Sequence, residues 1–129
     1  MSLRGLFLNG QGGMIGLELT LVNIVHLENV VINGFNGDGI EIFDVGAVFV
    51  KDSIVRNCAA GTAIYAGRTS SGTTIVSIDG ARLEGNGYAL VADSGTRLTV
   101  RNTAASRNAT GFWFRSAGAF GPRWQRSRT

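Results

Sequence analysis

The chain is 129 residues long, one domain by length, with 19 glycines, one proline (Pro122), one cysteine (Cys58) and one histidine (His26). A single thiol excludes an internal disulfide and any cysteine-based metal site, and a single imidazole excludes a site that needs two. The net charge of +3 is unevenly placed: residues 1–114 hold eight basic and nine acidic side chains, whereas residues 115–129 hold four arginines and no acid, so the folded body has no basic face for a nucleic acid.

In chain order, the first unit joins "LRGLFLNG" (3–10) to "GLEL" (16–19). Its apolar stretches do not address a membrane. Leu6 to Leu8 is too short for the core of a signal peptide. Met14 to Ile32 is broken by Glu18, Asn23, His26, Glu28 and Asn29, where a membrane helix needs about 20 mostly apolar residues. No membrane span is expected, and no compartment is indicated. The second unit repeats the pair as "LENVVING" (27–34) and "GIEI" (39–42), and the third as "VKDSIVRN" (50–57) and "GTAI" (61–64). The fourth carries "IDGARLEG" (78–85) and "GYAL" (87–90), and the fifth "VRNTAASR" (100–107) and "GFWF" (111–114). The glycines opening the second block lie 23, 22, 26 and 24 residues apart. Two blocks sharing one period across five copies are the signature of a solenoid.

Inside each unit the apolar period is two, which means strands. The inward set of the glycine-led block is Leu17 and Leu19, Ile40 and Ile42, Thr62 and Ile64, Tyr88 and Leu90, Phe112 and Phe114. In the other block, Leu3, Leu6 and Leu8 stack on Leu27, Val30 and Ile32. Val50, Ser53 and Val55 follow, then Ile78, Ala81 and Leu83, then Val100, Thr103 and Ala105. Val25, Val48, Val76 and Leu98 mark a third short strand. The expected fold is all-β: a single-stranded parallel β-helix of about five coils, three short strands per coil, over residues 1–114. Parallel crossovers make it right-handed. Two outward columns support the register. Arg4, Glu28, Lys51, Asp79 and Arg101 alternate in sign. Beside them Gly5, Asn29, Asp52, Gly80 and Asn102 all tolerate unusual backbone angles and predict a bend. Residues 115–129 match no column. They read as a basic non-repeat tail, a cap using Phe120 and Trp124, or sequence unrelated to the repeat.

Candidate chemistry gathers on the outer side of the glycine-led block. Equivalent slots there hold Glu18, Glu41, Ala63, Ala89 and Trp113. Glu18 and Glu41 fall on adjacent coils, and a carboxylate pair about 5 Å apart is compatible with retaining glycoside hydrolysis. The plainer reading is two solvated glutamates beside an apolar strip. Phe43, Tyr65 and Trp113 offer rings on which a sugar can stack. Two outward columns, Phe7–Val31–Ile54 and Phe43–Tyr65–Val91, are apolar enough to favour packing against a partner. Self-association through these strips or through the coil ends follows, or a place within a longer repeat protein.

No metal or cofactor is expected. "NGFNGDGIEI" imitates a calcium-binding glycine repeat, yet the slots equivalent to Asp38 hold Ile15, Ala60, Asn86 and Thr110. A phosphate cradle needs a helix N-terminus, and here a strand follows the glycine. Cys58 falls in the slot of Phe35 and is expected to be a core thiol. "GRTSSGTT" (67–74) is a surface insertion, the kind of place where solenoids can carry binding residues.

The segments "LENVVINGFNGDGIEIFD" and "VKDSIVRNCAAGTAIYA" resemble the parallel β-helix repeats of the pectate-lyase-like superfamily, over about residues 3 to 114. The resemblance implies the right-handed β-helix and says less about activity. Members include polysaccharide lyases, hydrolases and epimerases, phage tailspikes, adhesins and repeat proteins, many of them exported. It implies a carbohydrate partner. Its enzymes project several acids and a basic residue from one sheet face, and only Glu18 and Glu41 match that pattern here. The expectation is therefore a structural or binding module; the alternative is a polysaccharide-active enzyme, or a fragment of one, using Glu18 and Glu41.

Overall fold

A computed structural model describes residues 1–114 and the backbone of residues 119 and 120. The first coil consists of β1 (Ser2–Arg4), β2 (Phe7–Asn9) and β3 (Leu17–Thr20). The second has β4 (Ile24–Glu28), β5 (Val31–Asn33) and β6 (Ile40–Phe43), and the third β7 (Ala47–Lys51), β8 (Ile54–Arg56) and β9 (Thr62–Gly67). The fourth has β10 (Thr74–Asp79), β11 (Arg82–Glu84) and β12 (Tyr88–Ala92), and the fifth β13 (Thr96–Arg101), β14 (Ala104–Ser106) and β15 (Thr110–Phe114). A further strand, β16 (Ala119–Phe120), pairs with β13. Like strands of successive coils pair in parallel and build three sheets of six, five and five strands. The first sheet runs β1-β4-β7-β10-β13-β16, the second β2-β5-β8-β11-β14 and the third β3-β6-β9-β12-β15.

The core is a stack of aliphatic side chains pointing inward from all three sheets. Val25, Leu27, Ile32, Ile40, Ile42, Val48, Ile64, Val76, Ile78, Leu83, Leu90 and Leu98 are all essentially inaccessible to solvent. Each such side chain stabilises the fold by roughly 1.5–3 kcal/mol when fully buried. No coil can bury its apolar face alone, so stacking supplies the stability.

The first and second sheets keep the register read from the sequence. Leu3 pairs with Leu27, Leu27 with Val50, Val50 with Ile78 and Ile78 with Val100. The sign-alternating column stacks as expected, with Arg4 and Glu28 in an ion pair of 3.3 Å. Gly5, Asn29, Asp52, Gly80 and Asn102 all have positive φ, between 49° and 76°. That left-handed bend turns the chain from the first sheet into the second, and residues with short polar side chains or none meet its steric demand.

A second corner is held by amides. The Asn86 side chain donates to Val55 O (3.2 Å) and to Asn108 Oδ1 (3.0 Å), and accepts from Cys58 N–H (3.0 Å). Asn108 in turn donates to Leu83 O at 2.9 Å. Cys58 is fully buried; burial pushes its thiol up and keeps it protonated.

The third sheet departs from the expected register. Ile40 pairs with Ile64, not with Thr62, and Leu90 pairs with Phe112, where Tyr88 was expected. Both slips are two residues long. Slips of that length leave every side chain on its own face, so apolar alternation does not detect them. Backbone packing decides between them. Gly61 lies directly on the Gly37 carbonyl and Gly87 on that of Gly61. The third and fourth glycines therefore continue the Gly37 column, while Ala63 stacks above Gly39, where a side chain would strike the Ala63 carbonyl.

Candidate functional site: the outer face of the third sheet

With this register, one outward column of the third sheet reads Glu18, Glu41, Tyr65, Val91, Trp113 from the first coil to the fifth. Adjacent strands lie about 4.7–4.9 Å apart, so Glu18 and Glu41 are immediate neighbours. Asp38, from the turn before β6, completes a group of three carboxyls and accepts the Thr62 N–H at 2.9 Å. Glu41 stands directly beside Glu18 in the β3–β6 ladder. Partial burial, followed by the neighbouring carboxyls of Asp38 and Glu18, pushes the Glu41 pKa up to about 7. It therefore keeps its proton in mildly acid solution.

Next to the acids stand aromatic rings. Phe43 pairs with Gly67 across the β6–β9 ladder. The missing side chain leaves room for the Tyr65 ring, which approaches the Gly67 backbone and tilts against Phe43 with centroids 5.4 Å apart. The Tyr65 hydroxyl donates to Asp93 Oδ2 at 2.8 Å, which fixes the ring. Farther along the axis Tyr88, expected in the inward set, is only half-buried and forms a second tilted pair with the outward Trp113 at 5.1 Å, with Trp113 42% exposed. Phe43 and Tyr65, expected in one column, thus meet diagonally, and Trp113, expected beside Ala89, stands beside Val91. Val91, read from the sequence as part of an outer strip, is only 3% exposed.

The remaining sequence candidates lie elsewhere. Phe7, Val31 and Ile54 stand in register on the outer face of the second sheet. Phe7 is 58% exposed there. The 67–74 insertion folds onto the protein. Asp44 accepts the N–H and hydroxyl groups of both Thr69 and Ser70. These bonds hold its carboxyl down at about 2. Arg68 donates to Val45 O, Thr74 Oγ1, Ser70 Oγ and Ser71 O, and its Nε lies 4.0 Å from Asp44. Sequence reasoning gave Asp44 no role, because its partners lie 25 and 26 residues away.

The first sheet carries a shallow depression that sequence analysis did not find. Ser2, Arg4, His26, Glu28, Phe49 and Lys51 line it, and the His26 ring stacks on Phe49 at 5.0 Å and 14°. Its charges are of mixed sign, with Arg4 held by Glu28. Among the described residues no group of three His, Cys, Asp or Glu side chains is arranged to hold a metal ion, and no helix is long and apolar enough to cross a membrane.

Three parallel sheets wound in coils around one aliphatic core define a parallel β-solenoid. Residues 5–120 match the family model described as "Right handed beta helix region", and the chain belongs to this right-handed β-helix family. This agrees with the resemblance to the pectate-lyase-like superfamily. No curated protein and no solved structure matches the chain.

Proposed function

We propose that the chain is a binding module of the β-helix class, and that the outer face of its third sheet is a carbohydrate-contact surface. The observation that carries this reading is the pair of tilted ring contacts, Phe43–Tyr65 and Tyr88–Trp113, set on one face next to the carboxyls of Glu18 and Glu41. Rings offer flat apolar surface to the C–H faces of a sugar, and neighbouring carboxyls accept hydrogen bonds from its hydroxyls. A strand-built platform also holds its side chains rigidly. Titration with soluble polysaccharides, read by Trp113 fluorescence or calorimetry, tests it. Tyr65→Ser with Trp113→Ala is expected to abolish binding. Unchanged binding by that variant would refute this surface.

The same module self-associates through the apolar strip of Phe7, Val31 and Ile54. Phe7→Ser with Ile54→Ser is expected to lower the mass in solution; equal masses for variant and wild type would remove the strip from any interface. β16, paired with β13, caps the body at 1–114, and the rest of the 115–129 tail lies outside the described residues.

A second reading is favoured by the raised Glu41 pKa. With its proton held to about pH 7, Glu41 is suited to act as general acid and Glu18 as nucleophile in glycoside cleavage. New reducing ends released by the wild type, and lost in Glu18→Gln and Glu41→Gln, would establish it. No release across a broad panel would leave the binding module.

A further inference from the structure

We propose that the outer face of the first sheet is an interface with a second copy of this chain, related to the first by a two-fold axis that runs along the strands between β4 and β7. This surface is separate from the apolar strip of the second sheet, and the two interfaces stand or fall independently.

Three columns of side chains point outward from β1, β4, β7 and β10. One reads Ile24, Ala47, Ile75, and the next Ser2, His26, Phe49, Ser77. The third is the alternating run Arg4, Glu28, Lys51, Asp79. Large apolar side chains stand out on this face: Ile24, Phe49 and Ile75 are 49%, 39% and 44% exposed. An apolar patch rimmed by a row of charges has the make-up of a protein contact. Lys51 points the same way. Glu28 and Asp79 flank it in the ladder, yet among the described residues it forms no ion pair. Glu28 is held by Arg4 instead.

The order of signs selects a second copy and fixes its register. Turned about an axis parallel to the strands, a copy lays each column on its own counterpart with the coils in reverse order. A two-fold interface then matches each residue pair twice. With the axis between β4 and β7, Glu28 faces Lys51 of the second copy and Arg4 faces its Asp79. The same turn sets His26 against Phe49, Ser2 against Ser77 and Ile24 against Ala47. Arg101 falls beyond the overlap. Other placements fail. An axis through β4 sets Glu28 on its own copy and Arg4 on Lys51, and one through β7 sets Lys51 on its own copy and Glu28 on Asp79. An axis between β7 and β10 keeps opposite signs together but lays Ile24 on Arg97, the residue that pairs with Ile75. An axis along the solenoid lays the charges on the isoleucines and buries them unpaired, which is costly. The shallow depression lined by Arg4, His26, Glu28, Phe49 and Lys51 is the place that receives side chains of the second copy. The four strands cover roughly 20 by 16 Å, less than a permanent interface needs, so the dimer is reversible.

The test uses the full chain with Phe7→Ser and Ile54→Ser, which removes the second-sheet strip, in sedimentation over a wide range of concentration at low salt. A concentration-dependent dimer is expected, and added salt weakens it. Lys51→Glu in that chain sets like charges face to face at two contacts and is expected to raise the dimer Kd about tenfold or more. Glu28→Lys has the same effect. Mixing the Lys51→Glu and Glu28→Lys chains restores a dimer, because both central pairs are again of opposite sign, and recovery on mixing shows that both variants fold. Phe49→Ser, which keeps every charge, is expected to weaken the dimer as well and serves if a charge variant does not fold. A monomer at every concentration would overturn this interface and leave the second-sheet strip to its own test. A dimer indifferent to both Lys51→Glu and Phe49→Ser would place the contact elsewhere and overturn the assignment. Charge variants that are folded by circular dichroism and stay monomeric on mixing would overturn the axis.

Discussion

On the first sheet the column Arg4, Glu28, Lys51, Asp79, Arg101 changes sign at every coil, whereas on the third sheet Glu18 stands against Glu41 with Asp38 beside them. Parallel register makes each residue the immediate neighbour of its counterpart one coil away, so every column must solve the problem of stacking. The first sheet solves it with alternation. The amide corner solves it with identity, because Asn86 and Asn108 each carry a donor and an acceptor and can bond to a copy of themselves. Carboxyls have acceptors only once ionised. A stack of them is unfinished without a proton or a cation. Departures from local consistency concentrate at functional positions, and this is the outward charged column where the protein makes such a departure.

The comparison can be broken at each of its three columns. The largest effect is expected at the amide corner. Asn86→Ala leaves Cys58 N–H and Val55 C=O buried without their partner, at a cost of about 3 kcal/mol, read from urea unfolding. A loss well under 1 kcal/mol would mean that like-on-like amides are not what secures this corner. The acid column gives a smaller effect that depends on pH. Folded Glu41 holds its proton to about 7 against an ordinary value of 4.5, so the unfolded chain binds fewer protons between those limits and stability falls as pH rises. The contribution is fully present below 4.5 and is gone once the pH has passed about 7. Glu41→Gln, neutral throughout, is expected to melt with the wild type at about pH 4 and above it at about pH 8. The gap is on the order of 1 kcal/mol or less, because the group is only partly buried. Parallel melting curves at both pH values would contradict a proton held on Glu41 in the folded state. The alternating column should matter least. Lys51→Glu puts three acids in a row and lowers stability by about 0–1 kcal/mol, a loss that salt erases on the scale of the Debye length. A salt-independent loss would assign the change to packing.

The first and second sheets were legible in the sequence because their columns carry more than alternation. Charge sign and the demand for positive φ at Gly5, Asn29, Asp52, Gly80 and Asn102 each select one register among several. In the third sheet the visible signals were a glycine and a period of two, and neither separates the pairing of Ile40 with Thr62 from that with Ile64. The distinction lies in contacts between main chains, the seating of Gly61 on the Gly37 carbonyl, which no residue pattern announces. The site changed accordingly. Glu18 and Glu41 were adjacent as expected, since the slip begins one coil later. Tyr65 moved from the neighbourhood of Phe43's column into that of Glu41, which joined the aromatic and acidic parts of the face. Asp38 was read as a calcium candidate without counterparts, and its contact with Glu41 depends on the path of the turn before β6.

The parallel stacking of near-identical coils also makes the face adjustable in whole steps. Because each coil contributes one position to the column and contacts chiefly its neighbours, duplicating one coil between the second and third would move the carboxyls about 4.8 Å farther from Tyr65 without remaking either end. Deleting a coil would do the reverse. Such a protein can change the spacing between charge and ring by recombination, at a length set by the hydrogen bond between strands, while substitutions within a coil tune the chemistry at each step.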